Sequence, residues 1–214
     1  MSVDWPRSPR SSALAGRPRE RRRRLVSGEV VVVRHGETEW SAAGRHTSRT
    51  DLGLTAAGRE RARALAGALG GRSFALVLSS PLRRARETCE LAGFGACAEL
   101  CEELREWDYG DYEGRTTAEI RAQRPDWLLW RDGCPGGERP SQVAARAERV
   151  LERIRAADGD VVIFAHGHIL RVLAALWLEL GVEAGGRLLL GAGHFGVLGH
   201  ERETRALAAW NLAP

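Results

Sequence analysis

The feature that most constrains the fold of this 214-residue chain is a pair of apolar, β-branched runs that both end in His-Gly. Residues 30–33 are four valines that lead through Arg34 into His35, and residues 161–165 lead directly into His166. Short continuous runs of this kind are typical of strands buried on both faces of a parallel sheet. Ligands of such sheets bind beyond the carboxyl ends of the strands. We therefore expect the two histidines to face one pocket.

Polar residues between the apolar segments predict helices that alternate with strands. Thr55 is expected to cap one helix, Thr116 with Glu119 forms a capping-box pattern, and Pro81 suits the first turn of another helix. The predicted elements are a strand at 74–78, helices at 55–69, 81–91, 141–156 and 167–180, and further strands in 187–214 with a turn near Arg202. This alternation predicts an α/β fold, a three-layer α/β/α arrangement with a largely parallel central sheet.

The positive charge of the chain is concentrated at its start. The formal net charge is +4, but residues 1–27 hold eight Arg against one Asp and one Glu, so the remainder is slightly acidic. Residues 1–27 are rich in Pro, Ser, Gly and Arg without apolar periodicity, which predicts a disordered tail before one domain at 28–214. The arginines at 21–24 could contact nucleic acid, but they lack aromatic interleaving and a nucleic-acid-binding fold, so no such partner is expected.

Two kinds of sequence signal bear on the location of the protein. No apolar stretch approaches the 18 residues of a membrane span, and residues 11–16 are too short and too small-sided for a secretory signal. The sequence therefore predicts a cytoplasmic protein without a membrane partner. Its four cysteines fit no common zinc spacing and are expected to be reduced thiols.

The His-Gly pairs belong to motifs that resemble those of the phosphoglycerate-mutase-like histidine phosphatases. Residues 34–38, RHGET, resemble the family signature, in which the histidine, here His35, becomes phosphorylated. Residues 79–85, SSPLRRA, resemble the second motif, whose phosphate-binding Arg precedes Ala and falls on Arg84. The resemblance implies a phosphoglycerate-mutase-like fold.

Two further motifs follow in the order expected of that family. Leu-Arg-Glu at 104–106, followed by Tyr-Gly at 109–110 and Glu-Gly at 113–114, resembles the segment that carries the acid, which falls on Glu106. His166 with Gly167 matches the second histidine. The four motifs span about residues 29–170, and together they are far more specific than the three letters RHG alone.

The resemblance implies a catalytic set of five residues: His35, Glu106, His166, Arg34 and Arg84. A neutral imidazole is a good nucleophile near neutral pH when one ring nitrogen is held as a donor. The two guanidinium forks would grip phosphoryl oxygens bidentately, and a protonated His166 would add a donor. The N-terminus of the following helix is expected to add its partial positive charge. Because cations surround the phosphate and no carboxylate cluster is apparent, we expect no metal and no cofactor.

Glu106 is the expected general acid, and the same carboxylate would activate water in a second step. That role needs a raised pKa, which a partly apolar setting beside Trp107 and Tyr109 would help to supply. Glu103 and Asp108 remain the alternatives if the alignment of the motif is shifted.

Predicted substrate contacts come from the first loop, the acid segment and the second histidine motif. They are Ser41, Thr47, Ser48, Tyr109, Gly167 and His168. Mutases of the family usually carry Asn at the position of Ser41 and Thr-Gly at the positions of Thr47 and Ser48. The hydroxyl groups found here could also reach a phosphate oxygen. A Gly-Glu-Ser pattern of phosphatase members is replaced by Gly-Glu-Arg at 137–139, which leaves the selectivity of the pocket open.

One other motif is a coincidence. Residues 191–196, GAGHFG, match a dinucleotide-binding fingerprint, but that fingerprint requires a helix, a second strand and an acidic residue further on. Too few residues remain in the chain for these elements.

The sequence thus predicts a metal-independent phosphatase that hydrolyses phosphate monoesters of small phosphorylated metabolites through a phosphohistidine on His35. The first alternative is a 2,3-bisphosphoglycerate-dependent phosphoglycerate mutase, which the short segment after Glu106 disfavours. A sugar-bisphosphate-specific phosphatase is the second, since Trp40, Gly44 and Asp51 resemble such members. A catalytically silent phospho-ligand-binding protein is the third. The resemblance also implies a possible homodimer.

Overall fold

A six-stranded sheet forms the centre of the computed structural model, which describes residues 28–214. The strands are β1 (Val30–Arg34), β2 (Leu76–Ser79), β3 (Glu99–Leu100), β4 (Val161–Ala165), β5 (Phe195–Glu201) and β6 (Thr204–Leu212). Their order is β3-β2-β4-β1-β5-β6; the first four are parallel, and β5 and β6 form an antiparallel hairpin. The predicted parallel centre is confirmed, and the hairpin makes the sheet mixed. The predicted tail at 1–27 lies outside the described residues, and the domain boundary stays a prediction.

Helices cover both faces of the sheet. They are α1 (Glu39–Ala42), α2 (Ala56–Leu69), α3 (Arg83–Leu91), α4 (Thr117–Gln123), α5 (Leu129–Asp132), α6 (Pro140–Ala156) and α7 (Gly167–Trp177). Within residues 28–214, none of them combines the length and the apolar character needed to cross a bilayer. The predicted three-layer arrangement is confirmed.

The four valines of β1 explain why both faces are covered. Val30 and Val32 belong to a core shared with α6 and α7, whereas Val31 and Val33 belong to a second core shared with α2 and α3. Because side chains alternate along a strand, an uninterrupted valine run must bury both faces. All four residues have no exposed surface.

Two predicted helix starts are confirmed. The Thr55 side chain accepts from the amide of Gly58 at 3.0 Å at the start of α2. Thr116 and Glu119 form the reciprocal capping box of α4. The fingerprint-like residues 191–196 lead into β5 and not into a helix, which supports their dismissal as a nucleotide site.

Three predicted boundaries are corrected. Strand β2 covers Leu76–Ser79 and not residues 74–78. Helix α3 begins after Pro81, because the amide of Ser80 still bonds the Phe164 carbonyl at 2.9 Å and Leu82 is extended. Helix α7 ends before residue 180, because Glu179 has a φ of 59°, in the left-handed region that interrupts a helix.

Candidate active site

His35 lies directly after β1 and is 5% exposed. Its Nδ1 lies 2.7 Å from the carbonyl oxygen of Gly36, and because a carbonyl only accepts, Nδ1 carries the ring proton. Nε2 therefore keeps its lone pair, as a nucleophile requires. Burial, together with the charges of Arg84 and Arg34, lowers the pKa of His35 well below its usual range and keeps the ring neutral.

His166 lies directly after β4, and its ring centroid is 5.2 Å from that of His35. Its Nδ1 accepts from Nε of Arg84 at 3.1 Å, so Nε2 carries the proton and donates to Oγ of Ser80 at 2.7 Å. Burial, with Arg84 and His35 nearby, lowers the pKa of His166 well below its usual range. The ring is neutral, which corrects the expectation of a protonated donor.

Arg84 is completely buried in the first turn of α3, and its guanidinium fork points at the first loop. Nη1 donates to the carbonyl of Thr50 at 3.1 Å, while Nη2 donates to the carbonyls of Thr47 and Ser48 at 3.1 and 3.3 Å. With Nε on His166, four of its five N–H groups are engaged. One N–H group remains without a partner, and the expected bidentate grip of Arg84 on phosphate stays a prediction.

Glu113 holds the same loop from the opposite side. Both of its carboxylate oxygens accept from the amide of Ser48 at 2.9 Å, and Oε1 also accepts from the amide of Thr50 at 3.0 Å. Arg84 therefore binds the carbonyl groups of the first loop, and Glu113 binds the amides of the same loop. Sequence analysis attached no function to Glu113, because its partners are distant along the chain.

Arg34 ends β1 and lines the pocket. Its Nη1 donates to the carbonyl of Leu190 at 2.6 Å, and its Nε is buried without a hydrogen-bond partner. A Cβ at Gly167 would lie 3.3 Å from Cζ and Nε of this side chain, so the glycine allows the guanidinium to pack against the start of α7. A buried N–H without an acceptor costs free energy. Nη2 makes no hydrogen bond within residues 28–214 and is not buried, so it is the group of this guanidinium that could donate to a phosphoryl oxygen.

The carboxylate of Glu106 accepts hydrogen bonds from three backbone amides. Its Oε1 accepts from the amides of Trp107 and Ile169, and its Oε2 from that of His168, at 2.9 to 3.0 Å. Burial alone would raise the pKa of Glu106, but the contacts with His168, whose backbone amide donates to the carboxylate, outweigh it and hold this pKa well below its usual range. The predicted raised pKa is wrong. The amides of His168 and Ile169, in the first turn of α7, bind this carboxylate, and a contribution of this helix N-terminus to phosphate binding stays a prediction.

The two alternative acids lie elsewhere. Glu103 faces Arg149 at 3.5 Å, and Asp108 forms an ion pair with Arg49. Neither lines the pocket that contains His35, whereas Glu106 does.

The pocket beyond β1 and β4 has a volume of about 160 Å³. It is lined by Arg34, His35, Ser41, Gly44, Arg45, His46, Thr47, Glu106, Tyr109, Gly167, His168 and Arg171. Ser48 is not among them; it lines a neighbouring cavity together with Glu106, and Glu113 and Arg84 hold its backbone. Its role as a substrate contact stays a prediction.

The hydroxyls of Ser41 and Thr47 are engaged by the backbone. Ser41 Oγ donates to the carbonyl of Thr38 at 3.0 Å and accepts from its amide, as part of the cap of α1. Thr47 Oγ1 donates to the carbonyl of Arg45 at 3.0 Å. Both residues line the pocket, and their roles as substrate contacts stay predictions.

Rings form another wall of the pocket. Burial raises the pKa of Tyr109 well above its usual range, so its hydroxyl stays protonated, and it forms a hydrogen bond with Nδ1 of His168 at 2.7 Å. The ring of His46 lies 4.7 Å from that of Tyr109, and burial lowers the pKa of His46 to about 4. Sequence analysis missed His46 and Arg171; the only available signal was the three-residue spacing of Arg171 from His168 on a predicted helix.

Comparison with known proteins gives a consistent result. A family model described as histidine phosphatase superfamily (branch 1) matches residues 30–213. An acid phosphatase of Mycobacterium tuberculosis is 41% identical over 188 residues, which cover 86% of this chain and 92% of that protein. A sedoheptulose 1,7-bisphosphatase of Saccharomyces cerevisiae is 37% identical over 191 residues, covering 74% of this chain and 70% of the relative.

Solved structures agree with the fold. The structure of an open reading frame product of Mycobacterium tuberculosis has a TM-score of 0.82 and 38% identity, covering 87% of this chain and 98% of that one. A mycobacterial glucosyl-3-phosphoglycerate phosphatase solved with VO3 has a TM-score of 0.76 and 33% identity, covering 86% and 98%. The match over nearly all of residues 28–214 places this chain in branch 1 of the histidine phosphatase superfamily.

Proposed function

We propose that this protein is a phosphatase that hydrolyses phosphate monoesters of small phosphorylated metabolites through a phosphohistidine on His35. The proposal is carried by one observation: His35 is neutral, with its proton fixed on Nδ1 and the lone pair of Nε2 left for attack, in a pocket shared with Arg34 and Glu106. The acid phosphatase and sugar phosphatases among its relatives support hydrolysis over phosphoryl return.

In the first step, Nε2 of His35 attacks phosphorus and the bond from phosphorus to the ester oxygen breaks. The leaving oxygen takes a proton from Glu106. Because Glu106 is ionised by its surroundings, that proton has to be acquired before the step; the negative charge of a bound phosphate raises the pKa of a carboxylate beside it. Arg34, which lines the pocket beside His35, is the cation placed to stabilise the oxygens of the transferring group.

In the second step, water attacks the phosphohistidine while Glu106 removes a proton from it, and the Nε2–phosphorus bond breaks. The low pKa of the carboxylate keeps it ionised and able to accept this proton. Inorganic phosphate leaves, His35 is again neutral, and Glu106 loses its proton to water because its pKa is low in the free enzyme. Binding of the next phosphate raises that pKa again, and the carboxylate takes up a proton from water. Metal independence is part of the proposal, since the donors named here belong to the chain itself.

Rapid quenching with a ³²P-labelled phosphate monoester tests the intermediate. The wild type should yield a labelled protein adduct that is stable in base and labile in acid, as a phosphoramidate on nitrogen is. His35→Ala should yield none, whereas His200→Gln, whose ring packs on Trp177 outside the pocket, should be labelled normally. Labelling of the His35→Ala variant to the same extent would overturn the assignment of the nucleophile.

A second assay separates hydrolysis from isomerisation. With 3-phosphoglycerate and 2,3-bisphosphoglycerate present, phosphate release should exceed formation of 2-phosphoglycerate, and addition of EDTA should leave the rate unchanged. The reverse ratio would identify a mutase. The cytoplasmic location and the homodimer stay predictions; sedimentation equilibrium tests the latter.

A further inference from the structure

Arg171 is a cation of the pocket that the proposed mechanism does not use. It lies on α7, three residues after His168, so both side chains share one face of the helix and both line the cavity that contains His35. Sequence analysis assigned it no role.

The guanidinium of Arg171 is fixed from two sides. Its Nε donates to the carbonyl of Gly185 at 2.9 Å and its Nη2 to that of Gly186 at 3.2 Å. Its Cζ also lies 4.7 Å from the ring centroid of Trp130. A guanidinium held in this way has lost most of its rotamer freedom before any ligand arrives, which favours binding.

Two glycines next to Arg171 allow the ring of Trp130 to pack closely against the backbone. A Cβ at Gly185 would lie 2.6 Å from the Trp130 ring, and one at Gly186 would lie 3.1 Å from it. The glycine pair therefore lets the indole pack on the same backbone whose carbonyls bind the guanidinium.

Arg171 has no carboxylate within salt-bridge distance among residues 28–214, although it is more than half buried. Arg146, a buried arginine outside this pocket, is paired with Glu138 at 2.8 Å. Burial lowers the pKa of Arg171, which reflects the cost of keeping its charge away from water. Nη1 of Arg171 makes no hydrogen bond within residues 28–214 and is not buried, and the residue lines the pocket. An unpaired, preorganised cation at this position is suited to an anion.

We infer that Arg171 forms a subsite for a second anionic group of the substrate, a carboxylate or a second phosphate, separate from the phosphate attacked by His35. This inference rests on the proposed function and narrows the substrate class to phosphate monoesters with two anionic groups. Arg34, at the end of β1, binds the reacting phosphate. Arg171, one turn into α7, binds the second anionic group.

Two pairs of substrates test the subsite, each differing in the second anionic group. Glycerol 3-phosphate has a hydroxymethyl group where 3-phosphoglycerate has a carboxylate, and fructose 1-phosphate lacks the second phosphate of fructose 1,6-bisphosphate. The wild type should show a kcat/KM about 10- to 100-fold higher for the doubly anionic member of at least one pair. The pair that shows the preference identifies the anion as a carboxylate or a phosphate.

Arg171→Gln should remove that preference by lowering kcat/KM for the doubly anionic member, with little change for its partner. Arg187→Gln is the matched control, because Arg187 follows the same glycine pair but is exposed and does not line the pocket. An equal loss for both members in Arg171→Gln, or loss of the preference in Arg187→Gln alone, would overturn the inference.

If the Arg171 variant does not fold, the comparison of substrates with the wild-type protein still tests the inference. Hydrolysis of both members without preference refutes the subsite and leaves the phosphatase intact. Absence of phosphate release from all four compounds refutes the proposed function itself.

Discussion

Nε of Arg84 donates to Nδ1 of His166 at 3.1 Å, across 82 positions of sequence. A guanidinium has no lone pair to accept with, so this bond fixes which tautomer of His166 is present. The proton is placed on Nε2, where it is donated to Ser80. Arg84 thus sets the hydrogen-bonding state of a ring that lies against His35, and it also ties that ring to the first loop.

Arg84→Lys tests this coupling. An ammonium is a point charge that cannot reach His166 and three loop carbonyls together, so we expect kcat/KM to fall about 100-fold through misplacement of the reacting groups. The free energy of unfolding should fall by about 3 kcal/mol, because buried carbonyls lose their donors. Steady-state kinetics and urea denaturation measure the two effects. Wild-type values of kcat/KM in a folded variant would contradict the positioning role.

Glu113→Gln tests the other half of the loop clamp. The amide side chain keeps one acceptor oxygen but loses the charge and the second acceptor for the Ser48 and Thr50 amides. We expect about a tenfold loss in kcat/KM and a loss of about 1 kcal/mol in the free energy of unfolding. Asp111→Asn is the matched control, since Asp111 is an exposed acid two positions away. Equal effects of the two substitutions would argue against a specific role of Glu113.

The elements that could be predicted from the sequence are those determined by neighbours along the chain. The valines of β1 are all buried, and the caps at Thr55 and Thr116 need only residues three positions away. The approach of His35 to His166 follows from two parallel strands that end alike. Their boundaries were less accurate, because the start of α3 depends on a hydrogen bond from Ser80 to β4.

The electrostatics of the site could not be predicted in the same way. The pKa of Glu106 depends on amides of α7, more than 60 positions away, which overcome the burial that sequence reasoning considered. The direction of the Arg84 fork depends on carbonyls of a loop more than 30 positions earlier. Arg171 was missed because its supports, a glycine pair and an indole, carry no recognisable signal.

Glu106→Gln should discriminate between leaving groups. An alkyl phosphate needs a proton on its departing oxygen, so we expect its kcat/KM to fall about 1,000-fold without the acid. 4-Nitrophenyl phosphate has a stabilised leaving group and should lose far less in the first step. Comparison of the two substrates in wild type and variant measures this difference. The same loss for both would show that Glu106 acts in positioning or in the second step only.

The dependence of kcat/KM on pH below 7 should report the protonation of His35. This ring must be neutral to attack, and its pKa lies well below the usual value of 6.5. A group that must be neutral loses activity only as the pH falls through its own pKa, so kcat/KM should not decline between pH 7 and pH 5.5. Measurements over this range in buffers of constant ionic strength provide the test. A tenfold decline per pH unit that begins near 6.5 would indicate an unperturbed histidine in the free enzyme.

His46 should make the free energy of unfolding depend on pH. Its contribution should decrease as the pH falls, whereas a histidine paired with an anion loses its contribution as the pH rises. Burial lowers its pKa from 6.5 to about 4, so between these values the unfolded state binds a proton that the folded state does not. The stability it contributes is complete above pH 6.5 and is lost as the pH falls towards about 4. The full effect is about 3 kcal/mol.

Urea denaturation at several pH values between 7.5 and 4.5 measures this coupling, with His46→Gln as the comparison. Other buried histidines add to the slope in the same direction, so the difference between the two proteins isolates His46. The free energy of unfolding of the variant should decline less steeply, because glutamine does not titrate. Two parallel curves would mean that His46 titrates alike in the folded and unfolded chain, and the wall that it forms with Tyr109 would then be open to water.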